Sequence, residues 1–223
     1  MNLKLYIVAC AALLLPSFTT ANAQADEAKS EKEARAILDE MSAKAKSYST
    51  IEINFTAEYS SKRTGDKSKS NGNLKVKGQS YALDVNDMVT YSDGQTVYVW
   101  QKNNNEVDIS DADSDADGDM TPSKLFGAYK SGYKLRHLAD KTVGGVACEQ
   151  VDLYPQDKKT NVMRIRISVN KSTRRIQQFE QTTKSGETLT VTVKDYKVNQ
   201  AMPATTFKFD TAAHKDVEVV DLR

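Results

Sequence analysis

One stretch of the chain gathers groups that could do chemistry. Residues 111 to 120, "DADSDADGDM", set aspartates at alternate positions: Asp111, Asp113, Asp115, Asp117 and Asp119. A calcium loop beginning at Asp113 would take oxygens from Asp113, Asp115 and Asp117, bend at Gly118, and require a bidentate Glu at its twelfth position. That position holds Lys124. Asp111 or Asp119 could fill a coordination site, but the strongest ligand is missing, and the preceding element reads as a strand where such a loop needs a helix. A solvated acidic loop is expected over residues 111–119, with Asp113, Asp115 and Asp117 a weak calcium candidate at most.

The remaining supply of acids, bases and nucleophiles is thin. His137 in "YKLRHLAD" falls on a strand pattern and His214 in "TAAHKD" on a turn, which suits packing or surface roles better than a catalytic pair. Cys148 in "GGVACEQVDLY" reads as a half-buried strand residue with no His near it in sequence. There is no G-x-S-x-G elbow, no H-E-x-x-H and no phosphate-binding glycine loop; "VGGV" at 143–146 is a turn. An enzyme is not expected, and no cofactor is implied.

Such a chain is expected to act by binding, with an enzyme the last of the readings, and its compartment narrows the choice. "MNLKLYIVACAALLLPSFTTANAQA" places Lys4 before an apolar run, Leu5 to Leu15, and ends in "ANA", the layout of a secretory signal peptide cleaved after Ala23. The run is too short to span a bilayer. "IVAC" faintly resembles a lipoprotein box, yet cleavage before Cys10 would leave an apolar new terminus. Residues 24–223 are expected to form one domain. Of 31 basic and 30 acidic side chains the leader removes only Lys4, so the remainder is balanced. A neutral chain lacks the basic face that nucleic acid requires, and no nucleic-acid partner is expected. With Cys148 the only remaining thiol, an oxidising compartment adds no internal disulfide.

The elements follow from hydrophobic period. "SEKEARAILDEMSAKAKSYST" carries Ala34, Ile37, Leu38, Met41 and Ala45 at helical spacing, with Ser30 and Glu33 as a capping box at its start. The period then becomes two: "IEINFTAEY" alternates Ile51, Ile53, Phe55, Ala57 and Tyr59 with polar residues. The segment "KRTGDKSKSNG" reads as a polar turn, "NLKVKG" and "SYALDV" as strands about a Gly78-Gln79 corner, and "MVTYSDGQTVYVWQ" as a hairpin through Asp93-Gly94. "TPSKLFGAYKSG" predicts a short helix from Thr121 and Pro122 to Gly132. Strands resume from "YKLRHLA" to "TLTVTVKDYKV", and "TTFKFD" and "VEVVDL" finish the chain. The expected fold is mainly β with helices: an open antiparallel barrel of about eleven strands, its apolar concave face covered by a helical lid.

The segments "ILDEMSAKAKSYSTIEINFTAEY", "GNLKVKGQSYAL", "SDGQTVYVW", "NEVDI", "TPSKLF", "RRIQQFE" and "FKFDTAAHKDVEVVDL" are each weak signals. In this joint order, over most of the chain, they resemble the outer-membrane lipoprotein carrier family, the LolA-like periplasmic lipoprotein chaperones. The resemblance implies a periplasmic, cofactor-free carrier whose apolar cavity shields lipoprotein acyl chains. It implies receipt of acylated lipoproteins from an inner-membrane ATP-driven (ABC) releasing complex and delivery to the outer membrane, with the acceptor unknown and the carrier a monomer. One departure stands against the pattern. Well-studied members of this family place an Arg-Pro pair after the "L-x-V-K" strand, where the Arg latches the lid; here Gly78-Gln79 stands there, and Lys75 stands where some members have an aromatic.

For the acyl cavity the resemblance points to apolar strand positions Ile53, Phe55, Leu74, Val76, Tyr81, Leu83, Val97 and Val99. Opposing strands would add Leu135, Ile165, Ile167 and Phe179, and the lid Leu38, Met41, Leu125 and Phe126. Which parity of each strand faces the cavity is open at this level. Two other readings keep the same fold: a carrier of another lipid or glycolipid, and a regulatory domain that senses lipoproteins.

Overall fold

The structure, a computed structural model, describes residues 19–112 and 127–223. It opens with one long helix, α1 (Thr19–Lys46), followed by six strands: β1 (Ile51–Ser61), β2 (Lys67–Lys77), β3 (Ser80–Val85), β4 (Met88–Ser92), β5 (Thr96–Gln101) and β6 (Glu106–Asp111). After a 3-10 turn at Ala128–Lys130 come β7 (Tyr133–Val143), β8 (Val146–Pro155), β9 (Val162–Asn170), β10 (Ile176–Thr183) and β11 (Glu187–Val198). A second 3-10 turn, Ala204–Phe207, precedes β12 (Glu218–Asp221). All twelve strands form one sheet in the order β12-β6-β5-β4-β3-β2-β1-β11-β10-β9-β8-β7, with β12 and β7 as its edges. The barrel is open, as the alternating sequence implies, and its neighbours are antiparallel except for β12, which lies parallel to β6.

Three local expectations need correction. Ser30 and Glu33 do not cap α1, because good helix formers upstream carry the helix back to Thr19. Ser30 instead accepts the backbone N–H of His137 at 3.0 Å and donates to its carbonyl at 3.2 Å, which stitches α1 to β7. "KSKSNG" is not turn but the first half of β2, paired residue for residue with the outer half of β1. "TTFKFD" is a 3-10 turn with extended flanks, not a strand, and its Phe207 and Phe209 are buried.

Cross-strand register assigns the faces, since directly paired residues share one. One row runs Ile53–Leu74–Leu83–Thr90–Val99–Asp108 through β1 to β6. A row on the opposite face runs Ala82–Tyr91–Tyr98–Ile109. The apolar side of the sheet therefore changes face at β4. Its apolar residues turn outward and are buried under the C-terminal segment, where Met202 and Phe207 pack on Ala82 and Tyr91, and Phe209 and His214 pack on Trp100.

On the inner face the apolar residues of β7 to β10 make a closed core with α1. Ala34, Ile37, Leu38 and Met41 seal Leu135, Val151, Leu153, Ile165, Ile167 and Val169. The apolar wall of β1, β2 and β3 lies beside this core and not beneath it.

Candidate functional site

Where α1 stops short, a hollow remains. Its volume is about 290 Å³, and it is lined by Ile53, Phe55 and Ala57 of β1, Leu74 of β2, and Leu83 and Val85 of β3. The other wall comes from Ile176 and Phe179 of β10 and Leu189, Val191 and Val193 of β11. Strands β3 and β10 are four places apart in the sheet. Laid flat they would be about 19 Å apart, so their sharing of one small hollow shows the sheet curling round it.

Every lining residue is apolar, and Leu189 is 37% exposed at its rim. A wall whose described side chains carry no donor, acceptor or titratable group binds mainly through apolar area. A second hollow of about 480 Å³ shares Leu83 and Val85 with the first and continues past Met88 and Thr90 to amide side chains at Asn86, Gln101, Asn103 and Asn104. Polarity thus rises toward β4 and β5, where the apolar side of the sheet has changed face.

Of the residues expected in a cavity, Ile53, Phe55, Leu74, Leu83 and Phe179 line it. Val76 and Tyr81 pair with each other on the same face, one row on; Val97 and Val99 share that face farther out, half-buried. Leu38, Met41, Leu135, Ile165 and Ile167 are elsewhere, in the closed core under α1. Leu125, Phe126, Lys124 and the aspartates Asp113, Asp115 and Asp117 lie outside the described residues. The expectation omitted Ala57, Val85, Ile176, Leu189, Val191 and Val193. Strict alternation in "TLTVTV" signals the last three, once β11 is known to pair with β1.

Within β1 and β2, Phe55 lies opposite Gly72. A Cβ built on Gly72 would stand 2.3 Å from Phe55 Cζ and 2.5 Å from Cε2, so the ring occupies the space that any other side chain would need.

The groups with chemical potential serve to hold α1 in place. His137 Nδ1 is 2.9 Å from Glu33 Oε2 on the helix. Arg174, in the turn between β9 and β10, pairs with Glu40 on α1 at 2.6 Å and with Glu149 on β8. Arg175 beside it lies over the rings of Tyr48 and Tyr196 and donates to Tyr48 Oη at 3.0 Å. Gly78-Gln79 is a tight two-residue turn between paired Lys77 and Ser80, with Gly78 at φ +60°. These ties to α1 come from the far side of the sheet, not from the strand end where the family pattern places an Arg-Pro pair. Cys148 is fully buried, and burial pushes its thiol up, away from the reactive thiolate.

Tyr129, at the start of the second described segment, is buried and donates to Asp39 of α1 at 2.7 Å. Burial first, and this carboxylate second, push its phenol up to about 12; burial does the same for Tyr196. A raised folded pKa means a stabilisation complete below the unfolded value, near 10, and lost as pH rises from there toward 12. Denaturation midpoints should hold up to about pH 10 and fall steeply above it. Tyr129→Phe should flatten part of that fall; an unchanged alkaline slope in the mutant would contradict the assignment.

A model of the family described as outer membrane lipoprotein carrier protein LolA matches residues 46–210. No curated protein sequence matches significantly. Among solved structures, an uncharacterized conserved protein from Thermus thermophilus is similar at TM-score 0.59 and 12% identity, over 85% of this chain and 99% of that one. A LolA superfamily protein from Nitrosomonas europaea gives TM-score 0.42 at 12% identity, over 79% and 97% of the two chains. The lipoprotein LppX from Mycobacterium tuberculosis gives 0.43 at 12% identity, over 76% and 98%. At such identities the likeness to the Thermus protein is one of fold.

Proposed function

The chain belongs to the outer membrane lipoprotein carrier protein LolA family, and from that premise we propose that it carries the acyl chains of lipoproteins from the inner to the outer membrane. The observation that supports this reading is the half of the inner face that α1 leaves open among the described residues, an apolar hollow beside a core that α1 closes. An acyl chain gains about 0.8 kcal/mol for each CH₂ removed from water, so a hollow of this kind can hold a chain without any specific polar contact. Binding through apolar area, without a specific polar anchor, also allows release, which a carrier needs as much as capture.

In this reading the mature domain begins after Ala23 and works as a monomer in the periplasm, without cofactor or covalent step. It takes cargo from an ATP-driven inner-membrane complex. Leu125 and Phe126, which lie outside the described residues, are proposed as lid residues over the acyl chain.

The test uses an environment-sensitive apolar dye. Its fluorescence should rise on binding the folded, monomeric protein and fall when a diacylated lipopeptide is added. Dye binding that no acylated ligand displaces would end the carrier reading. Mass spectrometry of what co-purifies distinguishes lipoproteins from glycolipids as the natural cargo.

A further inference from the structure

Gly72 sits in mid-strand, where glycine weakens a sheet and usually marks a close approach. Its φ is not among the positive values of this chain, so its backbone would accept any residue. The nearest obstacle to a side chain there is the Phe55 ring, which lies in the notch with Cζ 2.3 Å from where a Cβ would be. Phe55 is anchored on β1 at a bulge in the β1–β11 pairing, and it is 7% exposed. Beyond Gly72 on the same row stands Val85, and beside it on β2 stands Leu74; both line the hollow with Phe55. A ring pushed out of the notch has the sheet behind it and the hollow in front.

We infer that the Phe55–Gly72 pair determines how much acyl chain the cavity accepts. With glycine at 72 the ring lies down over β2, and the hollow between β3 and β10 stays clear. With any Cβ at 72 the ring stands up into that hollow and shortens it. The pair is thus the length gauge of the site, set by one missing Cβ. This inference rests on the carrier reading.

The experiment measures displacement of the dye by lauric, myristic, palmitic and stearic acids from the full mature chain and three variants. In the wild type, affinity should climb with chain length, since each methylene buried is worth about fourfold (about 0.8 kcal/mol). In Gly72→Ala the climb should stop early. Lauric acid should bind as before, while stearic acid should lose about tenfold or more, the equivalent of two excluded methylenes. Phe55→Leu should extend the climb, and Gly72→Ala combined with Phe55→Leu should restore the wild-type profile, because the shorter side chain no longer fills the hollow. A Gly72→Ala profile parallel to the wild type would overturn the inference while leaving the carrier reading intact. So would an equal loss at every chain length with a lowered melting temperature, the mark of general damage to the sheet. A wild type that binds none of the four acids would overturn both.

Discussion

Replacing Leu74 and Val191 together with aspartate should abolish acyl binding and leave the protein folded. Leu74 on β2 and Val191 on β11 flank β1, and both line the open hollow from half-buried positions. In the empty protein a carboxylate at either place can keep its water. A bound chain would strip that water, at several kcal/mol for each charge. Every 1.4 kcal/mol is a factor of ten, so binding should weaken by about a hundredfold or more. Circular dichroism melts beside dye retention check this. A folded double mutant with full retention would remove the hollow from consideration as the site, and a mutant that unfolds would make these strands ordinary core.

Leu38→Ala should do the reverse. Leu38 is 0% exposed at the centre of the cluster between α1 and the far strands. Truncation there removes buried methylenes and leaves a void, at a cost of about 2–5 kcal/mol. For a domain of this size the melting temperature should drop by on the order of 10 °C. Below its melt the mutant should still bind acyl ligands, because Leu38 touches the closed half of the inner face and not the hollow. Unchanged melting with lost binding would recast α1 as a moving lid in place of a fixed wall.

These two outcomes separate residues that the amino-acid sequence alone treats alike. Ile53 and Ile167 sit in strands with the same alternation, and both are expected cavity residues with the strand parity left open. Only the placement of α1, held by Ser30, Glu33 and Glu40 against β7 and the β9–β10 turn, makes one cavity wall and the other core. That placement depends on contacts more than a hundred residues apart, and strand periodicity carries no trace of it.

The same limit explains the lesser misreadings. "KSKSNG" is polar on both faces, so a period of two is silent there although β1 pairs with it throughout. Phe207 and Phe209 do alternate and both turn toward the sheet, but no strand lies alongside to pair with them. The Ser30–Glu33 signature is locally valid, yet helix propensity runs on upstream, and the backbone of His137 engages Ser30 while its ring engages Glu33. The family pattern and the open barrel, by contrast, follow from the order of motifs and the strand alternation, which are written in neighbouring residues.

The order of strands also carries a consequence for how the chain reaches this state. It divides into two meanders of sequential neighbours, β2 to β6 extending from β1 and β7 to β11 after them, and the pairing of β1 with β11 joins them. Each meander can zip up through short turns, at small loop-closure cost. Joining β1 to β11 closes a loop spanning most of the chain, and such non-local pairing is what slows folding. The hollow straddles that junction, with β1, β2 and β3 on one side and β10 and β11 on the other. Neither half-sheet contains a site by itself, so a nascent or half-folded chain exposes two apolar strips but encloses no ligand. Competence to bind therefore waits on the β1–β11 pairing, once the chain through Val198 is free to close on Ile51.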